Sequence, residues 1–204
     1  MIDRQGRPVF IVGPEGQLEG AWHHMGSELN AIVCHPHPLH QGSMHNKVVM
    51  ATTWALLEQG YNVLRFNYRS VGQSHGRYGH IEGEVLDASA AAHWVKQETG
   101  NDVALWAGFS FGSYIAARQV QVSPVKLIMI APPVERMSFD ELMIPDQSLV
   151  MMCKDDEVVR YEAVNEYLSS HYKNDQIILR EGGHFFHGRT LHLRKYIETW
   201  LNNL

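Results

Sequence analysis

Basic residues are in the minority in this 204-residue chain, with 17 Lys and Arg against 22 Asp and Glu and a formal net charge of −5. A chain without a basic field has nothing to hold a nucleic-acid backbone or an anionic membrane surface, so neither is expected as a partner. Cysteine is scarce too. Cys34 and Cys153 each sit inside an apolar run that reads as a strand, the pattern of a free, buried thiol in a reducing cytoplasm. No stretch approaches the length of a transmembrane helix, and Met1-Ile2-Asp3-Arg4-Gln5-Gly6-Arg7 lacks the apolar run of a secretory signal, so a cytoplasmic location is expected. Internal repeats, low-complexity tracts, long charge blocks and linker-like stretches are also missing. With 45% hydrophobic and 19% charged residues, the chain reads as one domain over residues 1–204. Gly72, Gly76 and Gly79 lack the spacing of a dinucleotide fingerprint, and no phosphate loop followed by Lys-Ser or Lys-Thr occurs, so no nucleotide cofactor is expected.

What is present is an alternation. Two N-terminal strands (about Val9 to Val12 and Leu18 to Met25) precede short apolar runs at 31–34, 61–66, 103–109, 126–130, 149–153 and 176–179. Between the later runs lie helical patterns near Lys47 to Glu58, Glu84 to Gln97, from Phe111 onward, and Glu162 to Ser170. A last helix carries Leu193, Tyr196, Ile197, Trp200 and Leu201 on one face. Runs that are apolar throughout, alternating with helices, predict an α/β fold: a mostly parallel, eight-stranded twisted sheet covered on both faces, with an antiparallel edge at the start. In such sheets reactive groups gather beyond the carboxyl ends of the strands.

The unusual residues lie there. Gly108-Phe109-Ser110-Phe111-Gly112 falls between a strand and a small-residue helix containing Ala116 and Ala117, a turn that lifts a serine hydroxyl above the sheet. The five-residue pattern is short enough to recur by chance; its strand-and-helix surroundings make Ser110 a candidate nucleophile. A serine hydroxyl needs a base and a group that orients the base. Downstream, Asp155-Asp156-Glu157 follows one strand, and His184 and His187 follow the next, giving candidates in the order Ser, acid, His.

Several motifs together extend this picture: His35-Pro36-His37-Pro38-Leu39 with Met44-His45-Asn46-Lys47, the Gly-Phe-Ser-Phe-Gly turn, Ala131-Pro132-Pro133, Asp156-Glu157-Val158-Val159, and Gly183-His184-Phe185-Phe186-His187-Gly188-Arg189. In these the chain, from about His35 to the end, resembles the small, lidless bacterial α/β-hydrolases of the dienelactone-hydrolase-like group. The resemblance implies an α/β-hydrolase fold without a cap domain, a triad of Ser110, Asp156 and His184, and no cofactor. The family's Gly-x-x-Asp-x-x-Val has Cys153 in place of its glycine here, which leaves Asp155 as the alternative acid; His187, three residues after His184 and close to the helix start, is the alternative base. Dienelactone hydrolase proper carries cysteine at the turn, so the serine here departs from it. Arg69-Ser70-Val71-Gly72-Gln73-Ser74 is similar to the Arg-Gly-x-Gly-x-Ser turn of the fold, with Ser70 replacing a glycine and a structural role expected.

A tetrahedral oxyanion needs two N–H donors. One is expected from Phe111 at the helix start, the other from the loop after Cys34, where Pro36 and Pro38 have no N–H and the choice narrows to His37 or Leu39, His37 being preferred. The crowding of His35, His37, His40 and His45 raises a metal site as an alternative, but loop-shaping hydrogen bonds are the expected role and no metal is expected. Val134 to Gln147 is too short for a cap, so an open pocket walled by Leu39, Met44, Phe111, Pro133 and Phe185 is expected. The expected reaction is hydrolysis of a small ester or thioester through an acyl-enzyme. Acyltransferase, peptidase or a non-catalytic binding protein of the same fold are the competing readings. Nothing in the sequence sets the oligomeric state.

Overall fold

The computed structural model describes residues 5–171 and 175–204. Part of the leader reading above, Met1 to Arg4, lies outside the described residues. One eight-stranded sheet runs through the molecule: β1 (Arg7–Gly13), β2 (Gly16–His23), β3 (Asn30–Cys34), β4 (Asn62–Phe66), β5 (Val103–Phe109), β6 (Lys126–Ile130), β7 (Ser148–Cys153) and β8 (Asp175–Leu179), in the order β1-β2-β4-β3-β5-β6-β7-β8. β2 pairs antiparallel with both β1 and β4, and the pairings from β4 to β8 are parallel. β1 is the expected antiparallel edge.

The central strands β3 to β7 are buried almost throughout because both of their faces are covered. Ile32, Leu64, Trp106, Leu127, Met129, Val150 and Met152 belong to one core; their neighbours Val33, Val63, Leu105, Ile128, Ile130, Leu149 and Met151 belong to the other. The period of two splits the strands between the layers. Helices α2 (Glu82–Thr99), α3 (Phe111–Gln119) and α4 (Tyr161–His171) cover the first face, placing Ala88, Ala91, Val95, Ile115, Val164 and Leu168 there. α1 (Lys47–Glu58) and α5 (Thr190–Asn202) cover the second with Val48, Leu56, Leu193, Ile197 and Trp200.

Residues 131–147 between β6 and β7 fold down onto the sheet. Phe139, Leu142 and Ile144 are buried in the first core, and the buried Tyr167 hydroxyl donates to the Phe139 carbonyl at 3.0 Å. The connection is a side wall and leaves the carboxyl ends of the strands uncovered. The Arg69 to Ser74 turn is pinned from below. Its Arg69 guanidinium makes a two-pronged bond to the buried Asp87 carboxylate, with contacts of 2.8 to 3.1 Å. Ser70, standing where the resemblance has glycine, adopts the left-handed conformation at φ 66°.

Candidate active site

Ser110 caps α3 directly after β5 with φ 53° and ψ −120°, a backbone state sparsely populated by residues with a side chain. The state is held from several sides. Its N–H donates to the Ile130 carbonyl at 2.8 Å, and Ser113 Oγ donates to its carbonyl at 2.6 Å. The flanking glycines permit the approach of the two elements: a Cβ on Gly108 would stand 2.0 Å from the Gly112 carbonyl oxygen, and one on Gly112 would stand 2.3 Å from that of Cys34. Ser110 remains 9% exposed, and it lines a cleft of about 720 Å³ at the strand ends.

His184 lines the same cleft and is held by the segment after β7. Its Nδ1 lies 2.9 and 3.1 Å from the two carboxylate oxygens of Asp156. A carboxylate only accepts, so Nδ1 carries the proton and Nε2 is left as the basic nitrogen. The Asp156 side chain is fully buried and also accepts the N–H groups of Val158 and Val159, each at 2.8 Å. The imidazole packs against Phe109 and Phe185, with ring centroids 4.9 and 5.2 Å away. The neighbouring carboxylates act on the backbone of the histidine loop. Asp155 accepts from Gly182 and Gly183 N–H at 3.1 and 2.9 Å, and Glu157 accepts from His184 N–H at 3.1 Å. Those bonds to Gly183 and Gly182 hold the Asp155 carboxyl below the usual carboxylate range. His187 lies apart, its Nδ1 2.9 Å from Lys47 Nζ.

The loop after β3 presents His37. Leu39 N–H is already spent on His37 Nδ1 at 3.2 Å, whereas His37 N–H has no acceptor among the described residues. Phe111 N–H is one of the unpaired donors of the first turn of α3. The ring of His35 is fully buried. Its Nε2 accepts from Tyr68 N–H at 3.1 Å and its Nδ1 donates to Pro36 O at 2.6 Å, tying this loop to the one after β4. Burial drives the His35 pKa down to about 3. The His40 ring lies tilted beside that of His37, centroids 4.9 Å apart, and His45 is exposed. Among the described residues no three His, Cys, Asp or Glu side chains gather as metal ligands.

No family model matches the chain. A Xanthomonas campestris protein whose crystal structure is described as an α/β serine hydrolase without a lid superimposes with a TM-score of 0.92 at 35% identity, covering 100% of this chain and 96% of that one. An α/β serine hydrolase homologue from Coxiella burnetii superimposes at 0.89 with 38% identity, covering 95% and 96% of the two chains. An uncharacterized protein of Rickettsia prowazekii (strain Madrid E) is 35% identical, over 95% of this chain and 87% of its own. The chain belongs to the small lidless α/β-hydrolases.

In this lidless hydrolase the cleft walls include Phe111, Pro133 and Phe185 among the residues expected from sequence. Two others are placed elsewhere. Leu39 is 63% exposed and outside the cleft, because the 3₁₀ turn Pro38–His40 carries it outward while His37 and His40 face inward. Met44 is buried, its N–H donating to Asn67 Oδ1 at 2.8 Å, and it lines a separate hollow beside Arg65. The cleft also contains Asn46, Tyr78, Ile81, Arg136, Met137 and Val158, which sequence reading missed. The sole hint for Tyr78 and Ile81 is their position in the glycine-punctuated stretch after β4; Arg136 and Met137 fall in the Val134 to Gln147 connection, whose shortness excludes a cap without marking a wall.

Proposed function

We propose that the protein is a serine hydrolase of small esters or thioesters that works through an acyl-enzyme. Ser110 Oγ attacks the carbonyl as His184 Nε2 takes its proton. Asp156 holds the imidazole in the tautomer that leaves Nε2 basic. The oxyanion is received by the N–H groups of Phe111 and His37, each such donor being worth about a hundredfold or more in rate. His184 then protonates the departing alcohol or thiol, and water activated by the same nitrogen releases the acid. The observation that carries this reading is the buried Asp156–His184 pair in one cleft with a serine whose backbone is held in a strained turn. The open cleft and the folded-down 131–147 segment favour modest acyl groups. Two free, buried cysteines accord with a cytoplasmic location, and no described helix is long and apolar enough to cross a membrane.

The test is steady-state turnover of p-nitrophenyl esters and acyl thioesters of increasing chain length. Activity on short and medium acyl groups is expected. A rate that climbs steadily past about a dozen carbons would contradict the modest cleft, and no turnover of any ester or thioester would contradict the reading as a whole.

A further inference from the structure

Tyr78 is not part of the triad or the oxyanion loop, yet it lines the cleft with Ser110 and touches His37. The hydrogen bonds around His37 run in one direction. Leu39 N–H donates to His37 Nδ1 at 3.2 Å, so in the neutral ring the proton sits on Nε2. That Nε2 is 3.3 Å from the Tyr78 hydroxyl oxygen, which must therefore accept. The phenol's own proton is left to point elsewhere, and among the described residues it has no acceptor.

Two further observations keep this direction fixed. Burial, with a smaller push from His40, holds the His37 pKa below its ordinary value, so the ring is neutral near pH 7. Burial and the nearby Glu84 hold the Tyr78 phenol above its ordinary value, so it remains a donor. The backbone beside Tyr78 is also constrained. The buried Glu84 carboxylate accepts Gly79 N–H at 2.8 Å and Ile81 N–H at 2.9 Å. His80 and Ile81 are both held at positive φ, 50° and 78°. For a β-branched residue that is an outlier which persists only where its surroundings over-determine it, and Ile81 is itself a wall of the cleft. A tyrosine on a rigid support, with its oxygen already serving an imidazole N–H, is a pre-set donor.

We propose that the Tyr78 hydroxyl donates a hydrogen bond to the substrate and selects esters that carry a second acceptor oxygen, such as an ether or carbonyl, in the acyl part. The proposal rests on the serine-hydrolase reading above.

The experiment compares p-nitrophenyl hexanoate with the three isosteric esters in which an ether oxygen replaces the methylene at position 3, 4 or 5, using wild type and Tyr78→Phe. Fluorophosphonate labelling of both proteins runs alongside. Wild type is expected to prefer at least one oxa-ester. Tyr78→Phe removes the His37 contact for every substrate, so some loss on hexanoate is expected; kcat/KM for the preferred oxa-ester is expected to fall about tenfold further, the size of one well-placed hydrogen bond, so that the oxa-ester to hexanoate ratio drops about tenfold. Equal losses on hexanoate and the oxa-esters, or ratios that do not move, would overturn the proposal while labelling left the serine reading intact. A wild type that is not labelled would overturn both. Should Tyr78→Phe fail to fold, the wild-type ratios decide: no preference for any oxa-ester overturns it.

Discussion

Asp156→Asn probes the arrangement at its most sensitive point. The carboxylate makes four contacts, two to His184 Nδ1 at 2.9 and 3.1 Å and two from Val158 and Val159 N–H at 2.8 Å, both of the latter to Oδ1. An asparagine that keeps its carbonyl oxygen for the two backbone N–H groups must turn its amide N–H toward His184. Nδ1 then becomes the acceptor, the ring proton moves to Nε2, and the nitrogen proposed to serve as base for Ser110 can no longer take its proton. The fold loses little, since every buried polar atom retains a partner. Catalysis loses the orienting charge and the correct tautomer together, about 10⁴ in kcat, or about 5.5 kcal/mol of transition-state stabilisation. The assay is p-nitrophenyl acetate turnover, with thermal midpoints to check folding and Asp155→Asn as the control. Asp155 is exposed and contacts the loop backbone at Gly182 and Gly183, so its variant is expected to lose less than about tenfold. A large loss in Asp155→Asn with Asp156→Asn near wild type would refute the assignment.

Two stability predictions follow from the same geometry. Gly112→Ala places a methyl 2.3 Å from the Cys34 carbonyl oxygen and 2.6 Å from that of His35, so α3 must retreat from β3; a loss of about 1–3 kcal/mol in urea unfolding is expected, with activity falling as Ser110 shifts. An unchanged urea midpoint would argue against the close approach. His35 is held neutral with a pKa of about 3, while in the unfolded chain it titrates near the ordinary value of about 6.5. Between those values the unfolded state binds a proton that the folded state does not. His35 therefore contributes stability that is present above about pH 6.5 and is lost as pH falls toward 3, with a slope of up to about 1.4 kcal/mol per pH unit. His35→Gln should flatten urea midpoints measured between pH 7 and 5, and equal losses in variant and wild type would contradict this.

The strands and most helix positions were legible because the sheet is buried on both faces. Uninterrupted apolar runs such as Leu149 to Cys153 have no other stable use in a chain of this size, and every residue of β7 is buried. The sequence pattern starts α2 near Glu84, whereas the helix begins at Glu82, and the difference has a physical reason. The helix is opened by Glu84 reaching back to Ile81 N–H across a strained backbone, and no residue pattern announces a left-handed isoleucine. The serine turn was legible because glycine is demanded on both of its sides. The cluster Asp155-Asp156-Glu157 was harder. From sequence, Asp155 and Asp156 compete for one role, whereas in the fold each carboxylate has its own duty, one toward the imidazole of His184 and two toward the backbone that carries it. Pro133 was legible, but the walls from Tyr78, Ile81, Arg136 and Met137 escaped detection because irregular backbone, held in the 78–81 segment by the buried Glu84, has no period to read.

Labelling with a fluorophosphonate probe, followed by mass-spectrometric mapping of the modified peptide, tests the central claim most directly. The account predicts one adduct, on Ser110, abolished in Ser110→Ala and slowed by orders of magnitude in His184→Ala. Labelling that persists undiminished in a folded Ser110→Ala protein, or none at all in wild type, would contradict it.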